Sequence, residues 1–296
     1  MEVILGKIVV VVGATGKQGG ATAAHLLAAG WHVRALTRNT ASPTARALAD
    51  AGAEVLIADM DDPSSLVRAM TGAHGVFSVQ PAPHDPGAPM GYGTETEVRW
   101  GRAVADAAKA AGVAHLVYAS LVEAAERTGV PSFDSKWEVE RHIAAIGQPA
   151  TVLRPATFMD GLVVSKDVLN GSFTHLLAPD AKCQLVAVDD IGACAALVFA
   201  EPSAYLGRSL AIAGDERTPR ELATVLGRAL GHPVAYHQIP LDLIRQHDPG
   251  LADVFSSPPS AFGADIPVLR ALHPGLMTFE SWLSRHGRAQ LAALHR

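Results

Sequence analysis

Short unbroken runs of apolar and β-branched residues recur through the first half of the chain, separated by longer stretches of mixed pattern. Residues 7–12 are almost entirely isoleucine and valine, as expected of a strand buried on both faces. Similar runs lie at 33–37, 54–58, 75–79, 115–119 and 151–153. The stretches between them read as helices, the first ending at Ala28. Several close with one device: an alanine-rich last turn, a single glycine, then the next strand. Gly30, Gly52, Gly112 and Gly147 hold that place, which suits the left-handed position that stops a helix. Strand–helix alternation over about 150 residues predicts an α/β fold built on a doubly wound parallel sheet.

The second half is less regular. Residues 186–191 read as a short strand running into a helix through Ala200, with Asp189 or Asp190 as its cap. Residues 210–213 read as a strand. Thr218, Pro219 and Glu221 stand at the N-cap, N1 and N3 places of a capping box, and Gly231 ends that helix. Residues 241–246 and 279–285 are further helix candidates. No internal repeat or low-complexity segment is found. A Pro/Gly-rich loop, 81–93, follows the fourth strand, which places it at the carboxyl edge of the sheet, where ligands bind.

Composition narrows the class. With 296 residues, 49% hydrophobic and 18% charged, the chain is large enough for a proper core and one appended lobe. No apolar run reaches the roughly 20 residues of a membrane span, and residues 8–14 lack the basic leader of a signal peptide. A net charge of -5 argues against direct nucleic-acid binding, which calls for a basic footprint. Two cysteines, Cys183 and Cys194, make no disulfide framework, so a reducing cytoplasm is the expected location.

The main chemical motif is Gly13-Ala14-Thr15-Gly16-Lys17-Gln18-Gly19-Gly20. It follows a strand and opens a helix. Its glycines allow a tight turn, close approach of backbone to a pyrophosphate, and close packing of helix on sheet. Gly13, Thr15, Gly16, Lys17, Gln18 and Gly19 are therefore candidate dinucleotide-binding residues. At the end of the second strand, Thr37-Arg38-Asn39 carries no carboxylate for a ribose 2′-hydroxyl. Arg38 offers a cationic fork for a 2′-phosphate instead, so NADP(H) is the expected cofactor. In Asp59-Met60-Asp61-Asp62-Pro63, Asp61 or Asp62 suits the cap of the next helix, while Asp59 and Met60 lie where an adenine would pass.

These motifs, with Lys136-Trp137-Glu138-Val139-Glu140, Leu153-Arg154-Pro155-Ala156-Thr157-Phe158-Met159, Val188-Asp189-Asp190-Ile191-Gly192 and the stretch from Leu276 to Leu283, resemble the NmrA-like family. These are atypical relatives of the short-chain dehydrogenases. The resemblance implies an NADP-binding domain over 1–155, completed by about 184–214, and a smaller substrate or partner lobe over 156–183 and 215–296. It also implies that Pro155, Thr157 and Phe158 pass beside the nicotinamide. The family contains reductases of quinones and dyes as well as non-enzymatic NADP sensors, so the fold alone does not decide function.

Short-chain dehydrogenases use Tyr-x-x-x-Lys. Here Lys136 matches the lysine, but the residue four before it is Ser132. Alternatively, Lys136 is an exposed helix lysine pairing with Glu140 at i+4. A ketone reduced by hydride gives a basic alkoxide and benefits from a positioned acid. Quinones and iminium-like acceptors need none at the moment of transfer. Lys136 would hold the nicotinamide ribose, or act as a weak acid in an apolar site. Ser120, at the tip of the fifth strand, would orient a substrate oxygen or cap the strand end. His84 and Asp85 in the 81–93 loop are weaker candidates for the substrate mouth. The thirteen histidines show no metal-ligand spacing. The chain thus reads as an NADPH-dependent reductase of a small conjugated molecule, with a non-catalytic NADP(H) sensor as the alternative. A homodimer is left open.

Overall fold

The computed structural model describes residues 6–81, 91–163, 165–256 and 263–294. The chain divides into two compact units. One comprises Met1–Arg127, Pro131–Arg154 and Ile191–Leu210; the other Thr128–Val130, Pro155–Asp190 and Ala211–Arg296.

In the first unit, six strands and five helices alternate: β1 (Ile8–Val11), α1 (Lys17–Ala28), β2 (His32–Thr37), α2 (Pro43–Asp50), β3 (Glu54–Ile57), α3 (Pro63–Met70), β4 (Gly75–Ser78), α4 (Thr94–Ala110), β5 (His115–Ala119), α5 (Pro131–Ala145) and β6 (Ala150–Pro155). A seventh strand, Ser209–Ile212, joins the edge, giving the order Ser209–Ile212, β6, β5, β4, β1, β2, β3. The five pairings from β6 through β3 are all parallel. Val9, Val10 and Val11 are fully buried, which explains the unbroken apolar run. Gly30, Gly52, Gly112 and Gly147 all have positive φ, as helix-stopping glycines require.

Strand order reverses between β1 and β4. That reversal opens a crevice at the carboxyl ends of these strands, and the glycine motif begins there. The helix Val188–Ala200 packs on α1 through Gly192. A Cβ at Gly192 would lie 2.6 Å from the Ala21 carbonyl carbon, so only glycine permits this approach.

The second unit holds a three-stranded sheet, in the order Asp215–Arg217, Cys183–Val186, Thr157–Phe158, and a two-stranded parallel pair, Ser172–His175 with Ala235–Gln238. The capping box forms at Thr218 and Glu221, and Gly231 is left-handed at φ 79°. Two expectations are corrected. Val188 is already helical, so Asp189 and Asp190 lie inside the first turn; the Asp190 carboxylate accepts from the Met277 N–H at 2.9 Å. The helix at Phe279–Trp282 also passes into a π-helical turn, Leu283–Gly287. No helix among the described residues is long and apolar enough to cross a membrane.

Candidate cofactor and active site

Each glycine of the motif has its own geometric reason. Gly13 has φ 75°, and a Cβ there would lie 2.8 Å from Val79 Cγ1. Gly19 is packing: its Cβ would meet the Gly13 carbonyl oxygen at 2.2 Å. Gly16 differs from both. It is exposed, its φ is -88°, and a Cβ would meet only the Gly13 oxygen, at 3.3 Å. Thr15 and Lys17 are exposed beside it. Gly16 caps α1 without a side-chain hydrogen bond, and no acid occupies the first turn. The first N–H groups of a helix have no partner within it and favour an anion. The Gln18 Oε1 atom is buried without a hydrogen-bond partner among the described residues.

Arg38 follows β2 and is exposed. A turn holds its backbone: the Asn39 N–H donates to Thr37 Oγ1 at 3.1 Å, and the Ala41 N–H to Asn39 Oδ1 at 2.9 Å. Among the described residues no carboxylate pairs with Arg38. Its guanidinium carbon lies 6.0 Å from the centroid of Trp100.

In the turn after β3, Asp62 caps α3, accepting from the N–H groups of Ser64 and Ser65 at 3.0 and 3.2 Å. Asp61 takes a different part, accepting from Trp100 Nε1 at 2.8 Å and pairing with Arg99. Asp59 accepts from the Asp61 N–H at 3.0 Å, and Met60 packs partly buried against the core.

Lys136 is not a surface lysine. It is 7% exposed, and its Nζ lies 2.8 Å from Glu97 Oε1, on a carboxylate with no solvent exposure. Ser135 Oγ donates to the other oxygen of Glu97 at 2.6 Å. The pair meets because α4 and α5 pack closely at Gly101, where a Cβ would lie 2.6 Å from Val139 Cγ2. Gly101 is one turn from Glu97, and Val139 one turn from Lys136. The expected partner, Glu140, is committed elsewhere: it accepts from Arg154 Nε and a terminal nitrogen at 3.2 and 2.6 Å, and from Ser120 Oγ at 2.5 Å. Lys136 therefore faces the Glu97 carboxylate of the neighbouring helix rather than Glu140 on its own. Ser120 directs its only proton at Glu140, so it offers a ligand lone pairs rather than a donor. Its N–H donates to the Leu153 carbonyl at 2.8 Å.

Tyr118 lies beneath Lys136, its ring centroid 5.7 Å from Nζ. Burial, and then the charges of Glu97 and Glu140, hold its phenol well above its ordinary pKa. Tyr92 donates its hydroxyl to the Pro81 carbonyl at 2.8 Å; burial and Glu97 raise its pKa too. Pro155 ends β6, while Thr157 and Phe158, half-buried, pair with Leu185 and Val186 in the second unit. His84 and Asp85 lie outside the described residues.

The model of the NmrA-like family matches residues 6–263. The chain belongs to the NmrA-like family. Among relatives of this NmrA-like chain is the (4-alkanoyl-5-oxo-2,5-dihydrofuran-3-yl)methyl phosphate reductase of Streptomyces griseus. It is 30% identical over 298 residues, spanning 95% of this chain and 99% of that protein. Among solved structures, NmrA, a negative transcriptional regulator, superposes with a TM-score of 0.80 at 20% identity, covering 98% of both chains; that likeness is one of fold. An NADPH-dependent quinone oxidoreductase of Escherichia coli superposes with a TM-score of 0.74 at 26% identity, covering 94% of this chain and 98% of that one.

Glu97, Trp100 and Gly101 were not among the sequence-predicted site residues. One pattern does mark them. Glu97 and Gly101 share a stripe on α4 with Val104, Ala105 and Ala108, so a carboxylate falls on a helix face that is otherwise small and apolar.

Proposed function

We propose that this NmrA-like protein is an NADPH-dependent reductase transferring hydride to small conjugated electrophiles of quinone, enone or imine type. The observation that carries this reading is the buried Glu97–Lys136 pair in a chain with Ser132 at the tyrosine position.

The residues present fit the cofactor. An open Gly16, an uncapped α1, an unpartnered Gln18 Oε1 and an exposed Arg38 supply room, amide donors, a polar contact and a cation. When bound, NADPH supplies the hydride. With the cofactor bound, Lys136 would hydrogen-bond the nicotinamide ribose, its ammonium held by Glu97, which Ser135 fixes in turn; that is positioning rather than proton donation. Tyr118 is sealed in the core and Tyr92 hydrogen-bonded to Pro81, so neither replaces the missing acid. Without a positioned acid among the described residues, a product anion must be stable by delocalisation. A phenolate meets that condition and a simple alkoxide does not.

The test is NADPH consumption by wild type and Lys136→Ala, with a quinone and with an unactivated ketone. The quinone should react far faster, and the lysine change should slow it. Rapid ketone reduction untouched by the substitution would overturn the reading. Tight NADPH binding with no turnover on any acceptor would replace it with a cofactor-sensing regulator.

A further inference from the structure

Resting on the NADP(H) reading above, we infer that Trp100 is a specificity-determining residue acting through Arg38: its indole holds the guanidinium where a 2′-phosphate is read. Arg38 is a solvent-exposed side chain with many rotamers, yet its guanidinium lies over the ring of a tryptophan that is only 4% exposed. That tryptophan is itself fixed. Its Nε1–H donates to Asp61 Oδ1 at 2.8 Å. The Tyr92 ring packs against it, 5.2 Å between centroids at 43°, and the Tyr92 hydroxyl is tied to the Pro81 carbonyl. Strand end, turn and helix thus converge on one indole.

The charges are arranged to match. Asp61 is the carboxylate bonded to this indole, and Arg99 pairs with it. Arg38 has no carboxylate partner among the described residues. A cation held by its face keeps the edge of its fork for two phosphate oxygens. Cation–π attraction and prior ordering of the side chain both lower the cost of that contact. A ribose 2′-hydroxyl gains nothing from either, so the indole should affect NADPH and leave NADH alone.

The experiment is calorimetric titration of NADPH and NADH into wild type, Trp100→Phe, Arg38→Ala and the double variant, each with a thermal melt. Trp100→Phe should weaken NADPH by about three- to ten-fold and NADH hardly at all. In the Arg38→Ala background the same change should cost NADPH nothing further, since coupled residues are not additive. Equal losses for both nucleotides, or an undiminished loss in the Arg38→Ala background, would overturn the proposal. If wild type shows no preference for NADPH, the cofactor reading fails instead. Should Trp100→Phe not fold, Trp100→Tyr decides the matter, because it keeps a ring in the same place but offers Arg38 a smaller and weaker face. NADPH should again weaken with NADH unchanged; equal losses, or no loss for either nucleotide, would overturn the role of the indole.

Discussion

Glu97 and Lys136 face each other at 2.8 Å with almost no solvent exposure on either side chain. A buried pair of this kind is poor evidence of stabilisation, because desolvating both charges offsets their attraction. Removing one partner is a different matter, since the other remains buried and uncompensated. Glu97→Gln should cost roughly 3–5 kcal/mol of folding stability, and Lys136→Met a comparable amount. The double variant should be more stable than the sum of the two losses predicts, while turnover stays lost. Urea midpoints and rates measured on all four proteins separate the structural share of the lysine from its chemical share. Strictly additive stability losses would mean the two groups do not sense each other.

Arg38 sets the next expectation. Arg38→Ala should weaken NADP(H) binding by roughly 1.5–3 kcal/mol, the range for hydrogen bonds to charged groups, and leave NAD(H) within error. Titration of both nucleotides checks this. Equal weakening would show that Arg38 does not read the phosphate.

Gly16 at the loop tip and Gly19 in the first turn of α1 should respond differently to substitution. At Gly16 a side chain meets only the Gly13 oxygen at 3.3 Å and the backbone conformation is ordinary. Gly16→Val should fold and melt near the wild-type temperature yet bind neither nucleotide, because the valine occupies the pyrophosphate's space. At Gly19 even an alanine Cβ strikes backbone at 2.2 Å, so Gly19→Ala should lose stability as well as binding. Normal nucleotide affinity in a folded Gly16→Val protein would remove the loop from the site.

The difference between what was legible in the sequence and what was not follows from range. Strands such as β1 and the glycines that stop helices declare themselves locally, through buried β-branched runs and positive φ. The capping box at Thr218 needs only four consecutive residues. Glu97, by contrast, means nothing until α4 lies against α5, 38 positions further along at Ser135. The i+4 rule pointed Lys136 at Glu140 because it sees one helix; Arg154 had claimed that carboxylate from the neighbouring strand. Asp190 was read as a cap for the same reason, its real partner lying at Met277.

His115 provides a pH test of the sheet that carries the site. Thr151 Oγ1 donates its one proton to the Tyr205 carbonyl at 2.8 Å, so at the 2.8 Å contact with His115 it must accept from Nε2–H. The ring is thus the neutral Nε2–H tautomer, packed edge-on to Phe199. Burial, with a smaller contribution from His74, lowers its pKa from 6.5 to about 4. Between those values the unfolded chain binds a proton that the folded protein refuses, so stability rises with pH. The contribution is complete above pH 6.5 and is lost as pH falls toward 4. From pH 7 to pH 5 this one group should cost roughly 2 kcal/mol. His115→Gln keeps a donor for Thr151 and has nothing to titrate. It should be less stable than wild type at pH 7, having lost the ring, but its urea midpoint should fall less on moving to pH 5. An identical fall in both proteins would mean that His115 accepts its proton without unfolding the sheet.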